Sequence, residues 1–287
     1  MKLNERIIFF FLHNLSHLAG RINPYRRTVW AQKIGGFVYR YIPTRKYLAL
    51  KNIDRAFPNK SDYWKTEILK KSYTFFMEQF LFFFGFPESY NQTNIKVKNK
   101  SLIDEALKQK KGVLYISGHF GFWECIIAWF GKQKYPLTGV AVRQKNVWAH
   151  QFFIKKREWS GIKHVFRKDA LDKMNRVLDE GGILGLASDQ DVKNRGVFVR
   201  FFNILSSTPK GAARFYQQKG SIPIFGVCSK EGHNQFLIKF KDIPKESLAD
   251  TETFTQAYTK LLENEIRIHP EQYFWWHNRW KTPPLVK

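Results

Sequence analysis

A chain of 287 residues is long enough for one large domain, and 44% hydrophobic residues without a low-complexity tract exclude a disordered or fibrous protein. The formal net charge of +24, from 48 Lys+Arg against 24 Asp+Glu, points to a polyanionic partner, either nucleic acid or an anionic membrane face. Residues 1–100 hold 18 of the Lys+Arg but only 6 of the Asp+Glu, and they also contain the most apolar stretches, which favours the membrane surface.

At the N-terminus the apolar run Ile7 to Leu12 is interrupted by His13, Asn14, Ser16 and His17, and no small-residue cleavage pattern follows. A membrane span needs ~20 apolar residues, so this run falls short. On a helix, Ile8, Phe11, Leu12, Leu15 and Ala19 share a face, with Lys2, Arg6, Arg21, Arg26 and Arg27 on the flanks. That pattern fits a helix lying in the membrane interface and, equally, a helix packed on the protein's own core. A second apolar segment, Phe75 to Phe86, ends at Pro87 and belongs to a helix opening at Ser61 or Asp62. Its aromatic residues cover almost every face, so it is buried in protein, in lipid, or in both.

From about residue 110 short β-type runs alternate with helical ones. Gly112 to Ile116, Leu137 to Val142, Ile162 to Phe166, Ile183 to Ala187, Ile222 to Val227 and Phe236 to Phe240 read as strands. Asp169 is a cap candidate for a helix striped by Leu171, Met174 and Leu178 and stopped by Gly181-Gly182. Thr208-Pro209 starts another helix, and Thr253-x-x-Gln256 reads as a capping box. The expected fold is α/β, a mixed sheet flanked by helices. Residues 1–95 read as a helical, membrane-associating region and residues 96–287 as the α/β core of one continuous domain. Cys125 and Cys228 lie in apolar runs and read as buried free thiols.

The chemistry concentrates in Val113-Leu-Tyr-Ile-Ser-Gly-His119-Phe-Gly-Phe-Trp-Glu124. A buried strand ends at Ser117-Gly118, His119 follows on a loop, and a helix opening near Gly121 places Glu124 in its first turn. A carboxylate on one imidazole nitrogen would fix the tautomer and leave the other to take a proton from a hydroxyl. Free backbone N–H groups of the first helical turn would face the same place. Ser117 lacks a nucleophile elbow, so the attacking hydroxyl would be the substrate's own. A histidine buried against a glutamate for purely structural reasons is the alternative. Neither a metal-ligand cluster nor a phosphate-cradling glycine loop is present, so no metal and no cofactor are expected.

Across nearly its whole length the chain resembles the late acyltransferases of lipid A biosynthesis, within the wider lysophospholipid acyltransferase superfamily and its His-x4-Asp/Glu motif. The resemblance rests on Asn52-Ile-Asp-Arg-Ala-Phe-Pro58, Ser117 to Glu124, Arg143, Arg157 at the head of an Arg-x3-Gly stretch, Asp189-Gln-Asp191 with Gly196 to Phe202, and Pro270 to Lys281. It departs from the family at Asn278, where arginine is usual, and at the bulky Phe122-Trp123 pair. The resemblance implies a glycerolipid acyltransferase-like fold, with His119 as general base and Glu124 as its partner. Arg143, Arg157 and Asp189 would bind substrate, an arginine holding phosphate or oxyanion and Asp189 positioning the arginine or the acceptor. The implied activity is O-acyl transfer from an acyl thioester, carried by acyl carrier protein, to a lipid hydroxyl of a lipid A precursor at the cytoplasmic face of the inner membrane. Acylation of another lyso-lipid, such as an amino-acid-containing one, is the near alternative. A basic nucleic-acid-binding module is the distant one, disfavoured because it leaves His119, Glu124 and the aromatic front unexplained; nucleic acid is not an expected partner.

Overall fold

The computed structural model describes residues 3–42, 44–144, 146–166 and 171–284, with backbone alone over residues 3–9. Four helices lead: α1 (Leu3–Arg21), α2 (Pro24–Tyr41), α3 (Lys46–Ala56) and α4 (Asp62–Phe84), then the single turn α5 (Glu88–Asn91). The alternating part follows as β1 (Asn94–Lys98), α6 (Ser101–Lys108), β2 (Val113–Ser117), α7 (Trp123–Lys132), β3 (Leu137–Ala141), α8 (Val147–Glu158), β4 (Lys163–Phe166), α9 (Leu171–Asp179) and β5 (Ile183–Ala187). A hairpin, β6 (Val197–Phe201) and β7 (Ile204–Thr208), precedes α10 (Gly211–Lys219), β8 (Ile222–Gly232), β9 (Gln235–Asp242) and α11 (Thr251–Ile268).

Seven strands form one sheet in the order β1-β9-β8-β2-β5-β3-β4, parallel throughout except for the antiparallel pair β8/β9. The mixed α/β architecture is the expected one. Strand β2 is buried at every residue because helices cover both faces of the sheet. Leu114 and Ile116 join the core with α9, α10 and α11, while Val113 and Tyr115 join the core with α6, α7 and α8. Three strands escaped the sequence reading. Strand β1 alternates exposed and half-buried residues at the sheet edge, too polar to stand out. The β6/β7 pair is joined through Phe202 and Asn203, both at positive φ (51° and 63°), a tight turn whose first position carries a phenylalanine rather than a customary turn residue.

The apolar face of α1 is covered by the protein only in part. Ala19 is buried and Leu12 and Leu15 pack against the core, whereas Phe10, Phe11 and Leu18 stay exposed. Arg27 is no flanking surface cation: it is 2% exposed, donates to Ile22 O and Gln92 Oε1, and lies over the Phe82 ring, where burial pushes its pKa down to about 10. Helix α4 starts as expected, with the Ser61 side chain accepting from Trp64 N–H. Its aromatic end is largely protein core, since Phe75, Phe82, Phe83 and Phe84 are buried, with Phe80 left exposed. Helix α2 packs so closely on α4 that a Cβ at Gly35 would lie 2.7 Å from Thr74 Cα. No helix among the described residues is long and apolar enough to cross a membrane.

Two cap expectations are corrected. Helix α11 begins two residues before Thr253, and its cap is Asp250, whose carboxylate accepts from the N–H groups of Glu252 and Thr253. Gln256 instead clasps the backbone of Arg200 on β6, so a tertiary contact took the place of the capping box. Helix α10 begins at Gly211, after Pro209 rather than on it. The expected cap Asp169 lies outside the described residues.

Candidate active site

The site forms where two neighbouring parallel strands end. Ser117 on β2 pairs with Ala187 on β5, so the residues two places beyond each partner, His119 and Asp189, leave the sheet side by side. The backbone extends this register by one bond, Ser188 N–H donating to Ser117 O at 2.9 Å. Polar residues at the carboxyl ends of parallel strands are where open α/β sheets place their chemistry, because the chain must turn there toward the covering helices. Asp189 accepts twice from His119: Oδ1 lies 2.7 Å from Nδ1, and Oδ2 accepts from the backbone N–H at 3.1 Å. One carboxylate thereby fixes both the ring and the main chain of the histidine.

Asp189 is 4% exposed, which alone would raise its pKa. The His119 imidazole, its two hydrogen bonds and the Arg279 guanidinium outweigh burial and hold the carboxyl at about 2. It is therefore ionised and accepts only, so Nδ1 carries the proton and the lone pair of neutral His119 resides on Nε2. Burial pushes the His119 pKa down, but the charge and hydrogen bond of Asp189, with the charge of Glu124, win and raise it above the ordinary value.

Glu124 does not occupy the place that the sequence suggested. It stands in the first turn of α7, and its carboxylate receives Arg157 side-on, from Nε to both oxygens at 3.1 Å and from Nη2 to Oε1 at 2.7 Å. The carboxylate at Nδ1 of His119 belongs to Asp189, and the partner of Arg157 is Glu124, so the two acids have exchanged the contacts expected of them. The swap follows from geometry: α7 begins at Trp123, which turns Glu124 toward the last turn of α8 instead of back to the loop. Arg157 also lies over the Phe83 ring, and Glu124 keeps its pKa high. Arg143 has its guanidinium 5.0 Å from the Phe166 ring at the end of β4.

The His119 ring has aromatic neighbours, with Trp123 at 5.4 Å and Phe274 at 6.3 Å between ring centroids. Phe274 also lines an apolar groove of about 270 Å³ with Tyr73, Phe76, Met77, Phe80 and Trp276. Phe76 touches both Trp123 and Phe274, so the groove wall is joined to the two aromatic neighbours of the histidine. The described residues contain no group of three or more His, Cys, Asp or Glu placed to hold a metal ion.

Nearly the whole chain corresponds to a known set of proteins: residues 3–282 match the family described as bacterial lipid A biosynthesis acyltransferase. The chain belongs to that family. It is an acyltransferase. Among curated relatives it is similar to the lipid A biosynthesis lauroyltransferase of Escherichia coli strain K12, 27% identical over 259 residues that cover 88% of this chain and 84% of the relative. The lipid A biosynthesis palmitoleoyltransferase of the same strain is 23% identical over 260 residues, with the same coverage of each chain. A lipid A biosynthesis acyltransferase of Shigella flexneri matches at the same level.

For this acyltransferase the structure also shows why remote segments accompany the His119 block. The C-terminal segment straps the His119 loop: Phe274 N–H donates to His119 O, and Gly121 N–H donates to Gln272 O. His277 accepts the Asp191 N–H at Nε2, and Asp191 accepts from Thr282, so the strap is tied to the loop that carries Asp189. Asn52 on α3 donates to the carbonyls of Trp275 and His277, which joins two of the sequence blocks that carried the resemblance. Arg279, 1% exposed, donates to Ser207 O and Thr208 Oγ1 and lends positive charge to Asp189. Sequence reasoning left Asn52, His277 and Arg279 without roles. The only available signal was their place in family-like blocks, since nothing local links residue 52 to residue 277.

Proposed function

We propose that this chain transfers a fatty acyl group from an acyl carrier protein thioester to a hydroxyl of a lipid A precursor, with His119 as general base. The observation that carries the reading is the Asp189–His119 pair, which leaves Nε2 as the basic nitrogen, beside an aromatic wall shared with an apolar groove, in a chain of the lipid A acyltransferase family. The acceptor hydroxyl gives its proton to Nε2 as its oxygen attacks the thioester carbonyl. Asp189 stabilises the resulting imidazolium. The tetrahedral intermediate collapses to the ester, and the departing thiolate recovers the proton from His119.

The oxyanion is met by the first turn of α7 and by Arg157. The amides of Gly121 and Phe122 are already bonded to Gln272 O and Cys228 O, which narrows the backbone donors to Trp123 and Glu124. Glu124 is a positioning residue in this scheme, holding the Arg157 fork so that its remaining N–H groups can reach the oxyanion or an acceptor phosphate. The acyl chain occupies the groove along α4. Its aromatic walls suit a hydrocarbon and exclude water from the thioester. The acceptor and the groove both require the protein to work at a membrane, which we assign to the cytoplasmic face where acyl carrier protein is available.

The test combines purified protein, an acyl carrier protein thioester, and either a lipid A precursor or an amino-acid lyso-lipid, with mass spectrometry of the products. Acylation of the lipid A precursor is expected, falling on the order of 10²-fold or more in folded His119→Ala. Acylation of the lyso-lipid alone would overturn the acceptor, and activity within a few-fold of the parent in His119→Ala would overturn the mechanism.

A further inference from the structure

We infer that the outward face of α2 is the surface on which the protein seats itself against an anionic bilayer, an inference that rests on the membrane reading just given. No Asp or Glu occurs between Glu5 and Asp54, whereas that stretch holds nine Lys and Arg. Helix α2 turns Arg27, Ala31 and Gly35 inward, toward α4. On its opposite side, residues seven apart fall almost in line at 100° per residue. Arg26, Lys33 and Arg40 make one exposed row. Trp30, Phe37 and Tyr41 make the row beside it, 51%, 57% and 60% exposed.

The two rows interlock. Lys33 Nζ lies 5.8 Å from the Trp30 ring centre, Arg40 lies 5.5 Å from that of Tyr41, and Phe37 packs on Tyr41 at 5.0 Å. Three large aromatic side chains left in water on one helical face are unfavourable for a monomer with so large a core. A bilayer surface accounts for both rows, since aromatic rings insert at headgroup depth while the adjacent cations meet anionic headgroups. An acidic protein would be drawn to the cations but would leave the aromatic row unexplained. Another face of α2 adjoins the groove, since Tyr39 contacts Tyr73 on the groove-lining face of α4 at 5.6 Å between ring centroids.

The experiment floats the full chain with vesicles of phosphatidylglycerol and phosphatidylcholine in equal parts, and with phosphatidylcholine alone. Two variants are compared, Arg26→Glu/Lys33→Glu/Arg40→Glu and Trp30→Ser/Phe37→Ser/Tyr41→Ser, each checked for folding by circular dichroism melting. The charge variant is expected to lose about tenfold or more of its partitioning onto the anionic vesicles, a difference that shrinks as salt rises. The aromatic variant is expected to lose partitioning onto both vesicles with weaker salt dependence. Transfer to an acceptor dispersed in detergent should stay near the parent's in both. Three results would overturn the seat: a parent that does not float with anionic vesicles, variants that float like the parent, or an intact aromatic variant beside a charge variant whose only defect is a higher KM for the acyl carrier protein thioester. Absence of transfer by the parent in detergent would instead remove the catalytic reading and leave the flotation result standing.

Discussion

At the scale of single residues, the exchange of carboxylates changes what each substitution should do. Asp189→Asn removes the charge that raises the His119 pKa but leaves burial, which lowers it. The base must be neutral to act, so the acid limb of the pH–rate profile should move to lower pH. The rate at the plateau should fall on the order of 10²-fold or more, because an amide can donate to Nδ1 and select the wrong tautomer. A pH–rate series on the purified variant checks both, and an upward shift or an unchanged plateau would contradict the assignment of Asp189. The stability linkage has two opposite edges. Asp189, lowered to about 2, contributes above the unfolded value of about 3.9 and loses that contribution as pH falls through 2. His119, raised, contributes fully below about 6.5 and loses it as pH rises through its folded value. The pair is one interaction and is strongest between those limits.

At the scale of elements, the decisive piece is the turn from β2 into α7. Gly121 sits at φ +62°, and a Cβ there would lie 2.0 Å from Cys228 O on β8. Only glycine lets the loop touch the strand so closely, and that contact sets where His119 points and where α7 begins. Gly121→Ala is expected to cost ~3 kcal/mol or more, since left-handed strain and a backbone clash add. Denaturant unfolding measures the loss, and a variant within 1 kcal/mol of the parent (about one-fifth of a weakly stable domain's total) would show that the loop relaxes freely. The same scale explains the missed cap of α11. A Thr-x-x-Gln pattern and an Asp three residues earlier compete for the same helix end, and Gln256 was drawn off to β6.

At the scale of the whole molecule, the His119 loop is held by segments from both ends of the chain. Asn52 is 1% exposed and donates to two carbonyls of the C-terminal strap. Asn52→Asp keeps the shape but turns the donor into an acceptor facing two carbonyl oxygens. The expected outcome is a loss of ~2–3 kcal/mol in stability with a reduced rate, because the strap bonds His119 O and the Asp189 loop. Thermal melting and steady-state kinetics together test this, and a change in neither would mean that the strap is held without α3. Asn52→Ala should be milder, since it removes the donor without adding repulsion.

The sequence alone determined what depends on composition and local pattern. Apolar runs of strand length marked β2, β3, β4 and β5 nearly to the residue and marked β8 and β9 short, because a buried strand cannot tolerate polar interruptions whereas the ends of β8 and β9 carry polar residues. His119, Glu124, Arg157 and Asp189 were all legible as a set, through ordered blocks that resemble a family. Which acid meets which base was not legible, because that pairing is written in the register between β2 and β5, seventy residues apart, and in the one-residue choice of where α7 starts. The outward rows of α2 were equally hidden. Arg26 and Arg27 are neighbours in sequence with the same charge, and only the packing of α2 on α4 buries one and leaves the other facing out.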